Sequence, residues 1–245
     1  MKNTAIIIPT RLGAKRFPNK PLEKINHLPM IIHVLNRAKE ANVGEVFVAT
    51  PDDEIFDIVK KNKGQVFLTK KKHFSGSDRI YEAYENNLKD NIDLIINLQG
   101  DMPNIKPDSI SKLEKLMREN QSDIGTLGAK INDENEIMDK NIVKVQVDQD
   151  LKENTFLNAK DFFRIKNDLI DKKIYHHIGI YAFTNTALRK YVKLSRTKLE
   201  IERNLEQMRI IENNITIKVG LSNSCPLGVD TFEDFKKVSS EMAGV

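Results

Sequence analysis

Apolar and polar residues alternate with two different periods along the first half of this 245-residue chain. Short apolar runs at residues 5–8, 45–50 and 93–98 are bounded by proline, glycine or charged residues, which is typical of buried strands. Segments between these runs, such as residues 30–38, repeat apolar side chains at helical spacing. Because strand and helix alternate to about residue 120, the pattern predicts an α/β fold with a mainly parallel, Rossmann-like sheet flanked by helices.

The pattern changes after about residue 120. Strand-like stretches at residues 123–131, 142–148 and 176–184 follow, without a full helix between the first two. The remaining predicted elements are helices near residues 186–192 and 199–212, a strand at residues 215–220, and a last helix from Thr231. No internal repeat or Gly/Ser linker interrupts the chain, which predicts one domain over residues 1–245. Within it, residues 125–200 form a β-rich portion that covers the site or pairs with another subunit.

Composition narrows the class of protein. No apolar run approaches the eighteen or so residues of a membrane span, and no secretory segment follows the first residue. The 39 basic and 35 acidic residues give a net charge of +4, which is too balanced for a dedicated nucleic-acid binder. The single cysteine, Cys225, excludes an internal disulfide framework and suits a reducing cytoplasm. We therefore expect a cytoplasmic protein that binds neither membrane nor nucleic acid.

A cationic loop leaves the first predicted strand. Its basic residues, all within ten positions, are Arg11, Lys15, Arg16 and Lys20. Pro18 and Pro21 restrict the backbone of this loop. A stiff cationic loop after a buried strand suits a polyanion, because open α/β sheets bind ligands at the carboxyl ends of their strands. The alternative is a solvated basic loop, which charge alone does not exclude.

Two carboxylates are candidates for a metal site. Asp101 comes directly after the fourth predicted strand, at the same edge of the sheet as the cationic loop. A carboxylate beside bound phosphates is a usual ligand of Mg²⁺, although an aspartate in a turn is also satisfied by backbone N–H groups. Asp230 precedes the last helix. Its alternative role is a helix cap with Glu233, and Thr231 with Asp234 is a second possible cap.

The loop at residues 72–79 opens a predicted helix for which Ser77 is a possible N-cap. Its small residues Ser75 and Gly76 allow a ligand to approach the backbone, and a helix N-terminus offers free N–H donors. Such a loop could read a planar base through backbone groups and Arg79. A cap with its entry turn is the alternative interpretation.

Several other chemistries are disfavoured by the motifs. His176 and His177 are neighbours on a predicted strand, so their side chains point to opposite faces and cannot readily bind one ion. The sequence has no cysteine cluster and no HExxH, GxxxxGK[ST], GxGxxG or GxSxG pattern. The remaining interpretation is a nucleotide held by cationic side chains and Mg²⁺.

Six segments together resemble one family, the CMP-Kdo synthetases, which are the 3-deoxy-manno-octulosonate (Kdo) cytidylyltransferases of bacterial lipopolysaccharide biosynthesis. The resemblance extends from Ala5 to about Glu241, with the motifs in the family's order. The segments are IIIPTRLGAKRFPNKPL, HFSGSDR, INLQGDMP, YHHIGIYAF, LEQMR and LGVDTFEDF. The resemblance implies a homodimeric, Mg²⁺-dependent nucleotidyltransferase that makes CMP-Kdo and pyrophosphate from CTP and Kdo.

The resemblance also implies roles for individual residues. Those implied for the triphosphate are Arg11, Arg16 and Lys20, and those around the cytidine are Ser75, Ser77, Arg79 and Gln99. Those implied for Mg²⁺ are Asp101 and Asp230, and those for the sugar acid are Arg164, His177 and Gln207. The catalytic set is Arg11, Lys20, Asp101 and Asp230. Lys15 has no matched role.

Two positions depart from the family pattern. Met102 stands where the family often has Glu, and His176 replaces a frequent Arg. The alternative for sugar specificity is thus a cytidylyltransferase for 8-amino-Kdo, sialic acid or methylerythritol phosphate. The cationic loop lacks the GxGxRM-type pattern of the methylerythritol phosphate family, which counts against that substrate. An alternative of another class is a catalytically silent nucleotide-binding protein on the same scaffold, against which the retention of Asp101 and Asp230 argues.

Overall fold

The computed structural model describes residues 3–14, 16–89, 91–166 and 173–244. Lys15, one of the four basic residues of the cationic loop, lies outside these residues. In chain order the strands and helices are β1 (Thr4–Pro9), β2 (Lys24–Ile25), β3 (Leu28–Pro29), α1 (Met30–Glu40), β4 (Glu45–Thr50), α2 (Asp53–Lys61), β5 (Gln65–Leu68), α3 (Gly76–Asn87), β6 (Leu94–Leu98), α4 (Pro107–Glu119), β7 (Ile124–Ala129), α5 (Asn135–Met138), β8 (Lys144–Val147), β9 (Phe156–Asn158), β10 (Asp161–Phe163), β11 (Lys173–Thr184), α6 (Asn185–Tyr191), α7 (Lys198–Arg203), α8 (Met208–Glu212), β12 (Lys218–Ser222) and α9 (Phe232–Ala243).

The chain divides into two compact units, residues 1–111 with 226–245 and residues 112–225. In the first unit, β1 lies between β4 and β6, β5 pairs with β4, and all of these pairings are parallel. Helices α1 and α2 pack on β4, and α3 packs on β1 and β4. The sheet and its flanking helices confirm the predicted fold class, and the continuous apolar runs of β1 and β6 are buried as expected.

The second unit has a mixed sheet. β7 pairs in parallel with β12 and antiparallel with β11. The antiparallel pairings continue from β12 to β9 and from β11 through β8 to β10. Strands therefore predominate from residue 124 to 184, where the sequence pattern lost its regular helices.

One predicted helix in this unit is wrong. The sequence pattern predicts a continuous helix over residues 199–212, but α7 ends at Arg203 and α8 begins only at Met208. Asn204 between them has a φ of 52°, a left-handed conformation that ends helices and that asparagine tolerates. The break matters because Gln207, a predicted sugar contact, lies within it. The pattern also missed the short strands β9 and β10, and the predicted strand at residues 215–220 lies two to three residues too early.

Candidate active site

The cationic loop is held to the first unit by its main chain. The Leu12 N–H donates to Asp52 Oδ2 at 2.8 Å, and the Asn19 N–H donates to Leu12 O at 3.2 Å. Asn19 itself adopts a left-handed φ of 57°, which turns the chain into the short helical turn that contains Lys20. The loop is thus closed on itself by backbone contacts, while Arg11 and Arg16 remain exposed at its surface.

An aromatic anchor fixes the same loop to the C-terminal helix. The Phe17 ring packs edge-to-face against Phe232 and Phe235 of α9, with centroid distances of 5.7 and 5.6 Å. Phe17 is only 9% exposed and belongs to a buried cluster that also contains Val229. The sequence analysis did not predict this contact, although Phe17 is the one aromatic residue among the four basic residues of the loop and could have indicated it. Its consequence is that the segment before α9 lies beside the cationic loop.

Both candidate metal-binding carboxylates meet the ammonium group of Lys20. Lys20 Nζ lies 3.2 Å from Asp101 Oδ2 and 3.8 Å from Asp230 Oδ1, and it donates to the carbonyl of Val229 at 2.6 Å. Arg16 Nη2 lies 2.8 Å from the other oxygen of Asp230. The Lys20 side chain is 14% exposed, so these contacts form in a partly desolvated setting. Residues 129 positions apart in sequence (101 and 230) therefore share one cation.

The alternative role of Asp230 as a helix cap is wrong. The N-cap of α9 is Thr231, whose hydroxyl accepts from the Asp234 N–H at 3.2 Å, while Asp234 Oδ2 accepts from the Thr231 N–H at 2.8 Å. Burial opposes ionisation of Asp234, but hydrogen bonds from Thr231 and from the Asp230 N–H hold its pKa below the usual value. Because Asp234 completes the cap, the carboxylate of Asp230 is left to face Lys20 and Arg16.

The donor chemistry of this cluster fits Mg²⁺. Asp101 and Asp230 offer hard oxygen donors, and both present an oxygen within 3.8 Å of the same nitrogen. Within the described residues no group of three or more His, Cys, Asp or Glu side chains forms a complete protein cage for a metal. Two carboxylates suit an ion that keeps several waters and also takes substrate phosphate oxygens. Met102 is only 5% exposed, so the position at which the family often has Glu lies in the core here.

The loop before α3 differs from its prediction in one detail. The N-cap of α3 is Ser75 rather than Ser77, because Ser75 Oγ accepts from the Asp78 N–H at 3.1 Å and donates to Asp78 Oδ2 at 2.9 Å. A Cβ added at Gly76 would lie 3.4 Å from Pro9 Cγ and 3.9 Å from Gln99 Oε1. The N-terminus of α3 therefore lies next to the end of β1 and to Gln99, at the edge of the sheet that carries Asp101.

Arg79 is buried and has its own partners. Its side chain is 3% exposed, and Nη1 donates to the Thr69 hydroxyl and to Lys70 O, the latter at 3.1 Å. Burial and the nearby Arg11 lower the pKa of the Arg79 guanidinium. The adjacent loop is held further by Glu82, whose carboxylate accepts from the Lys70 N–H at 3.2 Å. Arg79 thus fixes the main chain at residues 69–70, beside the predicted cytidine loop.

In the second unit, His177 is buried in a strand. Its Nε2 lies 3.1 Å from the hydroxyl of Thr126, which also contacts the carbonyls of Ile178 and Ile180 at 3.2 and 2.7 Å. Because that hydroxyl has one proton and two carbonyl acceptors, His177 Nε2 is assigned as the N–H donor to it. Burial, with a smaller effect of His176, lowers the pKa of His177 to about 3. His177 is therefore a neutral imidazole at physiological pH.

The two neighbouring histidines have different partners, as their strand positions predict. His176 Nδ1 lies 2.8 Å from Glu136 Oε2, whereas the His177 ring packs edge-to-face against Phe162 at a centroid distance of 5.0 Å. The predicted inability of the pair to hold one metal ion is consistent with these contacts.

The other two predicted sugar contacts lie near β10. Gln207 is placed by its neighbour Met208, whose sulfur lies 3.8 Å from Arg203 Nη1. The same nitrogen donates to Asp161 Oδ1 and Phe162 O of β10. Gln207 is 7% exposed. Arg164 directly follows β10, and its Nη1 donates to the carbonyls of residues 140 and 141 at 3.3 and 2.8 Å. The second unit therefore brings the surroundings of His177, Gln207 and Arg164 to one short strand.

Comparison with known proteins now identifies the class. The sequence pattern of the cytidylyltransferase family matches residues 5–217. The chain belongs to the cytidylyltransferase family and is a nucleotidyltransferase, which confirms the class predicted from the sequence motifs. In the part of the chain that the structure describes, no helix is long and apolar enough to cross a membrane.

Individual members of the family are similar to this chain over nearly its full length. A 3-deoxy-manno-octulosonate cytidylyltransferase of Brucella canis is 41% identical over 235 residues, covering 96% of this chain and 93% of the relative. The protein of that name from Rhodopseudomonas palustris is 41% identical over 241 residues, covering 98% of both chains. A solved structure of a CMP:2-keto-3-deoxy-manno-octonic acid synthetase complexed with CTP is 33% identical, with a TM-score of 0.87 over 98% of both chains. The resemblance inferred from six motifs is thus confirmed along nearly the whole chain.

Proposed function

We propose that this protein transfers CMP from CTP to the anomeric hydroxyl of Kdo, giving CMP-Kdo and pyrophosphate for lipopolysaccharide biosynthesis. The observation that carries the proposal is the meeting of Asp101 and Asp230 at the Lys20 ammonium, beside an exposed cationic loop. The near full-length likeness to proteins named 3-deoxy-manno-octulosonate cytidylyltransferase supports the choice of both substrates.

The charges of the cluster support a divalent cation as part of the site. Lys20 and Arg16 supply two positive charges, but Asp101 and Asp230 already offset them. These four side chains together carry no net charge, whereas a triphosphate carries about four negative charges near neutral pH. Asp101 and Asp230 would hold a metal ion that supplies positive charge for the phosphates. We therefore propose Mg²⁺ as the cofactor, because both donors are hard oxygens and phosphates complete its ligand set.

With Mg²⁺ held by Asp101 and Asp230, the cationic side chains beside these carboxylates would be available to the nucleotide. Arg11, Arg16 and Lys20 then bind the β- and γ-phosphates and stabilise the charge that develops on departing pyrophosphate. When bound, Mg²⁺ polarises the α-phosphorus and lowers the pKa of the attacking hydroxyl. The protein itself contributes cationic side chains that are already positioned beside the leaving group before the reaction begins.

The cytidine is assigned to the loop before α3. We assign the hydroxyl groups of Ser75 and Ser77, at the start of α3, to the polar edge of cytosine. Gln99, which lies beside Gly76, offers an amide that both donates and accepts. Arg79 acts by holding the main chain at residues 69–70 in place.

The sugar acid is assigned to the second unit. Arg164 suits the carboxylate of Kdo, because a guanidinium binds a carboxylate through two parallel hydrogen bonds. Gln207 and the neutral His177 are suited to hydroxyl groups. The sugar oxygen forms a bond to the α-phosphorus as the bond to pyrophosphate breaks, and the hydroxyl proton leaves to solvent. No protein base is required, and His177, with a pKa of about 3, is too weak a base to be one at neutral pH.

We also propose a cytoplasmic homodimer in which the two units of each chain act as one nucleotidyltransferase domain. Large apolar side chains of the second unit are exposed, with Met138 at 65%, Ile165 at 48% and Ile201 at 58%. A second copy of the chain would cover such surface. Light scattering of the purified protein should give about 56 kDa, twice the 28.1 kDa chain mass, whereas a mass of one chain would contradict the dimer.

Pyrophosphate release with a panel of substrates tests the function. With CTP and Mg²⁺, Kdo is expected to give a faster release than 8-amino-Kdo or sialic acid, and UTP or ATP should not replace CTP. Lys20→Met should lower the rate about 10²-fold, by analogy with the loss of other single electrostatic groups. Lys24→Met, which removes an exposed lysine four residues away, is the matched control. Release with 8-amino-Kdo or sialic acid alone would overturn the assigned acceptor, and equal rates for both lysine variants would overturn the assigned site.

A further inference from the structure

Lys144 is a lysine with no exposed surface, an unusual place for an ammonium group. Its Nζ donates to three main-chain carbonyls, those of Asp139 at 2.6 Å, Ile142 at 3.0 Å and Arg164 at 2.5 Å. These three acceptors satisfy all three N–H groups of an ammonium. The side chain therefore ties the loop after α5 to the residue that follows β10.

Arg164 binds the same loop from its other side. Its guanidinium donates to the carbonyls of Lys140 and Asn141, at 3.3 and 2.8 Å. Taken together with the bonds of Lys144, the carbonyls of four successive residues, 139 to 142, each accept from one of two cations. This loop of carbonyls, residues 139–142, fixes the guanidinium of Arg164, while Lys144 holds the Arg164 carbonyl.

The ammonium of Lys144 is buried at a cost, which its hydrogen bonds offset. Burial lowers the pKa of Lys144, and the nearby charge of Arg164 opposes its ammonium as well, while Asp139 and Glu136 favour it. An apolar side chain of similar length would avoid the desolvation of a charge, but it would leave three carbonyls without this donor. A buried cation with three well-placed acceptors therefore fixes the positions of these carbonyls.

We propose that Lys144 is a positioning residue for the sugar acid, which sets the place of Arg164 through its main chain and through the carbonyls of residues 139–142. The inference rests on the proposed role of Arg164 in binding the substrate carboxylate. Lys144 itself is buried and does not touch the substrate. Because an error of about 1 Å in the placement of a binding group can reduce turnover about 10²-fold, a fixed Arg164 has a direct catalytic benefit.

Kinetics with each substrate varied separately test the proposal. Lys144→Met should lower kcat/KM for Kdo by about tenfold or more, while KM for CTP stays within about twofold of wild type. Lys152→Met, which changes an exposed lysine of the same unit, should leave both parameters unchanged. In an Arg164→Ala background, Lys144→Met should have little further effect on Kdo. A full, additive loss in that background, or an equal rise of both KM values, would overturn the proposal.

Hydrogen–deuterium exchange separates this inference from the proposed function, since it needs no substrate. In Lys144→Met, amides of residues 139–142 should exchange faster than in wild type, with residues 4–9 of the first unit as the internal reference. If Lys144→Met does not fold, Lys144→Gln replaces it, because its neutral amide still donates two hydrogen bonds. Unchanged exchange in a folded variant would overturn the positioning role, even if the protein used another sugar acid. If the wild-type protein is inactive with Kdo, but residues 139–142 exchange faster in Lys144→Met than in wild type, only the proposed function is contradicted.

Discussion

The buried imidazole of His177 makes a sharp prediction about stability at mildly acid pH. Burial lowers the pKa of His177 from 6.5 to about 3 in the folded protein, whereas the unfolded chain keeps a value close to 6.5. Between these two values the unfolded state binds more protons than the folded state. The free energy of unfolding must therefore fall as the pH is lowered from 6.5 towards 3.

The size of the effect follows from the two pKa values. Between pH 7.5 and pH 5, a group with pKa 6.5 unfolded and about 3 folded removes about 2 kcal/mol from the free energy of unfolding. Carboxylates with lowered pKa values, such as Asp161 and Glu200, also lose stabilising charge on acidification, but mainly at lower pH. Their contribution is common to wild type and to a His177 variant, so it cancels in the difference.

Urea unfolding of wild type, His177→Gln and His27→Asn at pH 7.5 and pH 5 measures this difference. A glutamine can still donate to the Thr126 hydroxyl but does not titrate, so His177→Gln should lose about 2 kcal/mol less than wild type on acidification. His27→Asn, at an exposed position, should lose as much as wild type. The same pH dependence in His177→Gln and wild type would refute the buried, neutral imidazole.

Three further substitutions, with a fourth as a control, follow from single contacts. Ser75→Ala removes the N-cap of α3 and should lower the free energy of unfolding by about 1 kcal/mol. The same substitution should raise KM for CTP in the kinetic assay. Thr231→Ala should lower stability in urea unfolding by a similar amount of about 1 kcal/mol, because it removes the cap of α9; no change would contradict that cap. Arg209→Met removes a two-bond partner of Glu200 (2.8 and 2.6 Å) and should lower the unfolding free energy by about 3 kcal/mol or more. Arg37→Met, which breaks the exposed pair with Glu40, should change it by less than about 1 kcal/mol, and equal losses in the two arginine variants would contradict the argument.

The sequence predicts most of the first unit because its signals are local. Continuous apolar runs predict β1 and β6, and apolar side chains at helical spacing over residues 30–38 predict α1. Parallel strands place their carboxyl ends at one edge, so the proximity of Asp101 to the cationic loop follows from the alternation of strand and helix. Asp230 follows less directly. The packing of Phe17 against α9 and the hydrogen bond from the Val229 N–H to Asp101 O (2.9 Å) place Asp230 beside Lys20, and no local pattern encodes these contacts.

The errors occur where two local interpretations compete. Ser75 and Ser77 both suit an N-cap, and the choice depends on which hydroxyl reaches the N–H of residue 78. Thr231 excludes Asp230 as the cap of α9 for the same kind of reason. The predicted helix over residues 199–212 has a suitable apolar pattern, but Asn204 adopts a left-handed conformation and ends α7. The carbonyl contacts of Lys144 have no sequence signal, because main-chain acceptors leave no pattern in the residue types.

Transfer of CMP to Kdo can be followed by ³¹P NMR of a mixture of the protein, CTP, Kdo and Mg²⁺. We predict that the three CTP resonances disappear as one phosphodiester resonance and the pyrophosphate resonance grow, the latter with about twice the area because pyrophosphate has two phosphorus atoms. The same mixture without Kdo, or with Asp101→Asn in place of wild type, should keep its CTP resonances over the same period. Intact CTP in the complete wild-type mixture, or its hydrolysis to CDP and inorganic phosphate, would contradict the account.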